Sequence, residues 1–122
     1  MTRRSGWEWR GSAGHFIASS DCLFHLSTDV GHYRVSTVGE YLPKGSDALA
    51  DVGWGRKYET MVFPLSDSRC SAPDCDCGER EVAEWQELDF DGYNRRGDAQ
   101  RGHMAMCQKW SRKRKWRGDD EL

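Results

Sequence analysis

Cys75 and Cys77 stand one residue apart, and His103 and Cys107 stand four apart. On a helix the second spacing puts both side chains on one face. Two thiolates from a loop with an imidazole and a thiolate from a helix form the N/S donor set that tetrahedral zinc takes, and four protein ligands leave no open position, so the ion is expected to be structural. Cys70 could replace either loop cysteine. The loop around these thiols has too little apolar content to order itself, which a metal would remedy by pinning it to the helix. The spacing departs from the common form with two residues between paired cysteines. The competing reading makes Cys107 and His103 packing residues and leaves the loop thiols exposed.

A second set of reactive side chains is His15, Cys22, His25 and His32. A Cys–His nucleophilic pair needs His15 or His32 to reach Cys22 from a neighbouring strand, with Glu59 or Asp29 as orienter. Cys22 and His25 point to opposite faces of a regular strand. Cys22 also alternates with Phe24 and Leu26 like a core residue, so an enzyme built on Cys22, His15 and His25 is the alternative reading and not the leading one. There is no phosphate-binding glycine loop, serine elbow or helical zinc-protease motif.

The third set is the stretch Lys109, Trp110, Ser111, Arg112, Lys113, Arg114, Lys115, Trp116, Arg117, six cations with two indoles. Such a stretch can contact phosphates while Trp116 stacks on a base. The bland reading is a solvated helix end, where cations suit the macrodipole, or an internal pairing with acids elsewhere. Those acids exist. From Asp74 to Asp91 eight carboxylates accompany one cation, Arg80, whereas from Arg95 to Arg117 nine cations accompany one acid, Asp98. The formal net charge of −2 therefore conceals a dipolar chain.

The elements that must position these groups are legible from periodicity. Strands are expected over residues 15–18, 22–28, 32–40 and 57–65, with a short fifth over 85–90. Residues 29–31 make the turn of an antiparallel hairpin. Pro64 marks the fourth strand as an edge strand or its end. Residues 42–56 read as a long loop with one helical turn at 47–52, and residues 66–79 as a polar, cysteine-bearing loop. From 98 to about 115, Ala99, His103, Met106, Cys107 and Trp110 recur at helical spacing, with Asn94 or Asp98 as the cap. Gly102 inside that helix points to a frayed turn or a close backbone approach. The fold class is α+β, an antiparallel sheet of four to five strands with a C-terminal amphipathic helix on one face and a possible zinc loop.

The 122 residues are expected to form one domain over residues 1–118 with an acidic tail at 119–122. No window approaches the roughly 20 apolar residues of a membrane span. The basic N-terminus has no apolar run behind it, and five cysteines, an odd number, read as free thiols or metal ligands in a reducing cytoplasm. Of the six tryptophans, Trp7 and Trp9 share one side of an extended segment. They serve either to cover the sheet or as an interface anchor.

Gly14-His15-Phe16-Ile17, Cys22-Leu23-Phe24-His25, the run from Tyr33 to Tyr41, the run from Tyr58 to Phe63 and the run from Gly102 to Cys107 together resemble a group of small uncharacterised accessory proteins of tailed bacteriophages. The resemblance covers most of the chain outside the cysteine loop. It implies a setting in a bacterial cytoplasm and no particular activity. The expected function is a non-enzymatic, zinc-stabilised binding module that engages a host protein or nucleic acid through Lys109, Arg112, Lys113, Arg114, Lys115, Trp116 and Arg117.

Overall fold

The structure is a computed structural model that describes residues 7–10, 21–71, 73–74 and 78–117. Six strands, β1 (Trp7–Arg10), β2 (Cys22–Val30), β3 (Tyr33–Tyr41), β4 (Tyr58–Arg69), β5 (Arg80–Val82) and β6 (Asp89–Tyr93), precede one helix, α1 (Arg96–Trp110). All strand pairs are antiparallel, in the order β1-β2-β3-β4, with β5 and β6 both paired to β4. This is an α+β arrangement, with six strands among the described residues where four to five were expected. No helix among the described residues is long and apolar enough to cross a membrane.

Register explains which side chains the helix meets. Thr28 pairs with Val35 and Val35 with Val62, while Leu26 pairs with Thr37 and Thr37 with Thr60, so these residues share one face of the pleat. The helix lays Ala99, His103, Met106, Cys107 and Trp110, all buried, against that face. The main apolar cluster joins Val30, Tyr33, Val35 and Val62 to Met106, Cys107 and Trp110, with Trp7, Leu88 and Trp116 packed on its border. A smaller cluster holds Phe24, Tyr58 and Ala99 near the helix start. Trp7 therefore covers the core, and the Trp9 side chain lies outside the described residues.

Several local expectations change. Asp29 and Val30 continue β2, and the turn falls at Gly31 and His32. An aspartate is tolerated inside this strand because it pairs in register with Arg34, which donates to both of its carboxylate oxygens at 2.7 and 3.0 Å. No helical turn forms over 47–52; the loop is instead closed by bridges between Tyr41 and Ala50 and between Gly53 and Arg56. Residues 85–88 are not a strand but the gap between β5 and β6. The expected strand at 15–18 lies outside the described residues.

Pro64 neither ends β4 nor makes it an edge. Leu65 donates to the His32 carbonyl on the β3 side at 2.9 Å, so the backbone of Pro64 faces the other way, where its carbonyl accepts from Ala83 at 2.8 Å. Its missing N–H thus opposes the interruption between β5 and β6, where there is no ladder bond to lose. The outer strand β6 is blunted differently. Phe90 and Gly92 each donate their N–H to the carboxylate of the preceding aspartate, Asp89 or Asp91, at 2.8 Å. These groups are engaged locally and flanked by negative charge, which discourages pairing with another chain.

The helix begins at Arg96 after Arg95, with no side-chain cap bond. Asn94, expected as a cap, accepts instead from the Lys57 N–H at 3.0 Å. The start is held by Arg96, whose guanidinium donates to both oxygens of Glu40 at 2.6 and 2.7 Å, while the Tyr58 hydroxyl donates to the same carboxylate at 2.7 Å. Burial alone would raise the Glu40 carboxyl, but these bonds hold it below its ordinary value. The close approach foreseen at Gly102 is real: a Cβ there would lie 2.1 Å from the Tyr93 hydroxyl. Gly102→Ala is therefore expected to lose about 1–3 kcal/mol through overpacking, despite the gain of roughly 1 kcal/mol that alanine brings in an open helix. Urea unfolding of Gly102→Ala and of the same change in a Tyr93→Ala background checks this, since the sign should reverse once the phenol is gone.

Candidate functional site

The helix stops at Trp110, five residues short of the expected end near Lys115. Residues 111–117 form a non-helical strap across the β2–β3 turn. Three contacts set its course. The Ser111 carbonyl comes up against Gly31, the Tyr33 hydroxyl donates to the Arg114 carbonyl, and the Lys115 ammonium donates to Asp67. Trp116 packs on the border of the main apolar cluster. Its partly buried indole acts as the anchor of the strap. Lys113 lies over the Trp110 ring, 5.0 Å from the centroid.

The consequence for charge is a set of cations held in place. Arg112, Lys113, Arg114, Lys115 and Arg117 are exposed on the strap. Lys109, in the last helical turn, donates to Asp89 at 2.7 Å, and the Trp110 indole N–H donates to the same carboxylate at 2.9 Å. Burial works against the ionised Asp89, yet these donors keep its carboxyl below the ordinary value. The Lys115 ammonium likewise lowers Asp67. The acidic and basic segments thus meet at Asp89 and Lys109 without zipping together, and Glu81, Glu84, Glu87 and Asp91 stay exposed.

The fold adds two cations that sequence reasoning passed over. Arg69 and Arg80 are cross-strand partners in β4 and β5. Arg69 donates to the Gly78 carbonyl at 2.7 Å; Arg80 donates to the Gly31 and Ser66 carbonyls at 2.8 and 3.2 Å. These bonds go to backbone carbonyls, and Arg80 also lies close enough to Asp67 to help hold that carboxyl low. The bond from Arg80 to Gly31 puts this pair beside the strap. Arg80 stands among acids in sequence, and only the strand pairing discloses where it points.

Of the four residues expected to bind zinc, two are described, His103 and Cys107. Cys75 and Cys77 lie outside the described residues. His103 and Cys107 do share the buried helix face, each 0% exposed. The imidazole is already engaged on both sides: Nε2 lies 2.9 Å from Thr28 Oγ1, and Nδ1 lies 2.7 Å from Thr37 Oγ1, which is 2.6 Å from Thr60 Oγ1. A neutral ring offers one donor and one acceptor, and hydroxyls serve as either, so the chain of groups is satisfied. Burial pushes the His103 imidazole down to about 4 and the Cys107 thiol up to about 12. A zinc ion shared with the cysteine loop would have to displace a threonine from His103. Among the described residues no three His, Cys, Asp or Glu side chains are grouped to hold a metal.

Cys22 is buried, and burial with the neighbouring Asp21 carboxylate pushes its thiol up to about 11, away from the thiolate that nucleophilic catalysis needs. His25, three residues on, projects from the opposite face, where its Nδ1 is buried without a hydrogen-bond partner among the described residues. His15 lies outside them. The described geometry does not bring Cys22 and His25 together. No family model matches the chain, and comparison with curated proteins and with solved structures finds no match either.

Proposed function

We propose that the chain is a non-enzymatic binding module that engages nucleic acid through the cationic strap. The observation that carries this reading is the anchoring of residues 111–117 by Trp116, Tyr33 and Asp67, which holds Arg112, Lys113, Arg114 and Arg117 at the surface beside Arg69 and Arg80. Cations held in position by packing lose less conformational freedom when phosphates arrive than the same residues on a free tail. In the setting that the phage resemblance implies, the partner is nucleic acid in a bacterial cytoplasm, and the reading does not depend on a bound zinc ion.

The test is fluorescence anisotropy of the purified chain with labelled single strands and duplexes of both DNA and RNA. Binding is expected at about 50 mM salt and should weaken steeply toward 200 mM as condensed counterions are released. The triple change Arg112→Gln, Lys113→Gln, Arg114→Gln should reduce affinity at least about tenfold and flatten the log–log salt slope by roughly two to three. A wild-type chain that binds none of the probes at low salt, or a triple variant that binds as well as wild type, overturns the proposal and leaves a host protein as the partner to seek.

A further inference from the structure

Trp54 is 99% exposed, in a chain whose Trp110 is 6% exposed. It sits on the tip of a tight hairpin, where Gly53 and Arg56 form a bridge, Gly53 donates to the Arg56 carbonyl at 3.4 Å and Val52 donates to the same oxygen at 3.0 Å. Gly55 supplies the positive φ, 64°, that closes the turn immediately after the tryptophan. The indole is therefore held away from the body of the protein by a short, hydrogen-bonded support. Its two rings lie on no apolar surface among the described residues. Trp7, Trp110 and Trp116, by contrast, lie in or against the main apolar cluster.

The surroundings of the tip carry both signs of charge, with the Glu59 carboxylate against Gly53 and Asp51 just before the turn. Arg56 and Lys57 follow it directly and are exposed. The stem of Arg56 runs along Gly92, where a Cβ would sit 2.8 Å from Arg56 Cγ, so the base of this side chain is fixed against β6. Lys57 holds Asp51 at 3.3 Å. Asn94, which receives the Lys57 N–H, brings the exposed Arg95 to the same end of the sheet. This end lies opposite the strap. Strand β4 runs from one to the other, and at the usual rise of a strand the separation between Lys57 and Leu65 is roughly 25 Å. Helix α1 connects the same two ends, from Arg96 beside Glu40 to Ser111 beside Gly31, and its sequence from Arg95 to Arg112 carries five cations against Asp98.

We infer that Trp54 is a base-stacking site, and that the strap and this tip are the two contact points of one interface for single-stranded nucleic acid. The inference rests on the nucleic-acid reading above and narrows it. The strap supplies phosphate contacts that any duplex or single strand can satisfy. The tip supplies a bare aromatic face, which only an unpaired base can cover, because in a duplex both faces of every interior base are already stacked. Arg56 and Arg95 are positioned to meet the phosphates that flank such a base.

The experiment compares wild type, Trp54→Ala, Trp54→Phe and the strap triple variant on three labelled probes: an oligothymidine, the same length of chain with abasic sites in place of bases, and a duplex. Trp54 is exposed, so Trp54→Ala should melt at the wild-type temperature, which circular dichroism checks. The expected result is a loss of about tenfold or more in oligothymidine affinity for Trp54→Ala, partial recovery in Trp54→Phe, and no change on the abasic or duplex probes or in the salt slope. Trp54→Ala that binds oligothymidine as wild type does, while the strap variant is impaired, overturns the stacking site and leaves the strap reading standing. An equal loss on the abasic probe also overturns it, since a base is then not what the indole meets. No binding by wild type to any probe overturns both.

Discussion

Asp29→Ala is expected to lose about 3–5 kcal/mol of folding stability, the usual cost of leaving one partner of a buried ion pair alone. Asp29 and Arg34 are cross-strand partners on the sheet face opposite the helix, with side chains 3% and 8% exposed. The guanidinium also donates to the Arg80 carbonyl at 3.0 Å and lies 3.9 Å from Glu79, so it ties the β2–β3 hairpin to β5. Removing the carboxylate leaves a buried positive charge without its bidentate partner. Small domains are stable by about 5–15 kcal/mol in total, so the variant should approach unfolding at physiological temperature. The pair itself is a weaker source of stability than this figure suggests, because most of the loss is the penalty on the orphaned charge. The double variant Asp29→Ala, Arg34→Met should accordingly recover much of what the single change loses. Urea denaturation of wild type, both single variants and the double variant measures this. A double variant no more stable than Asp29→Ala would show instead that the bonds from Arg34 toward β5 carry the energy.

Mild acid should weaken the protein through His103. The unfolded chain takes up this proton near the ordinary histidine value of about 6.5, whereas burial delays it in the folded state until about 4. Between those values the unfolded state binds more protons, so stability falls as pH falls, by about 1.4 kcal/mol per unit and by about 3 kcal/mol over the whole window. Above pH 6.5 the contribution is fully present; below 4 it is gone. The carboxylates held low by their partners, Glu40, Asp67 and Asp89, add their own losses only at more acidic pH. Urea midpoints at several values between pH 7.5 and 4.5 should therefore decline in wild type and stay nearly flat in His103→Gln, which retains hydrogen-bonding capacity toward Thr28 and Thr37. The other three histidines remain in both proteins and cancel in the difference. Equal slopes in the two proteins would mean that His103 is not the group that titrates.

The parts of the fold that were legible in the chain are those governed by neighbours in sequence. Alternation in 22–28 and 32–40 located β2 and β3 to within two residues, and the helical spacing of Ala99, His103, Met106, Cys107 and Trp110 named the buried face of α1. The errors have long-range causes. Arg34 is only five residues from Asp29, but their pairing depends on the register that moves the turn to Gly31 and His32, so Asp29 reads as turn chemistry. Pro64 reads as a terminus because its tolerance depends on a break in a partner strand some twenty residues downstream. The run from Ser111 to Lys115 reads as more helix because its residues accept helical geometry. The contacts of Trp116, Arg114 and Lys115 with the sheet pull it straight.

The functional site divides along the same line. Segregation of acids and bases, the cation content of the strap and the shared face of His103 and Cys107 follow from composition and period, which are local properties that every conformation of the chain preserves. Tertiary structure alone decides what each polar group meets. His103 finds Thr28 and Thr37, 75 and 66 residues away in sequence, Arg69 finds Arg80, and Trp116 is drawn onto the core while Trp54, the same residue type, is left in water. Burial and pairing are set by the register of distant strands and by where the helix lands on them, and spacing along one segment carries no information about either.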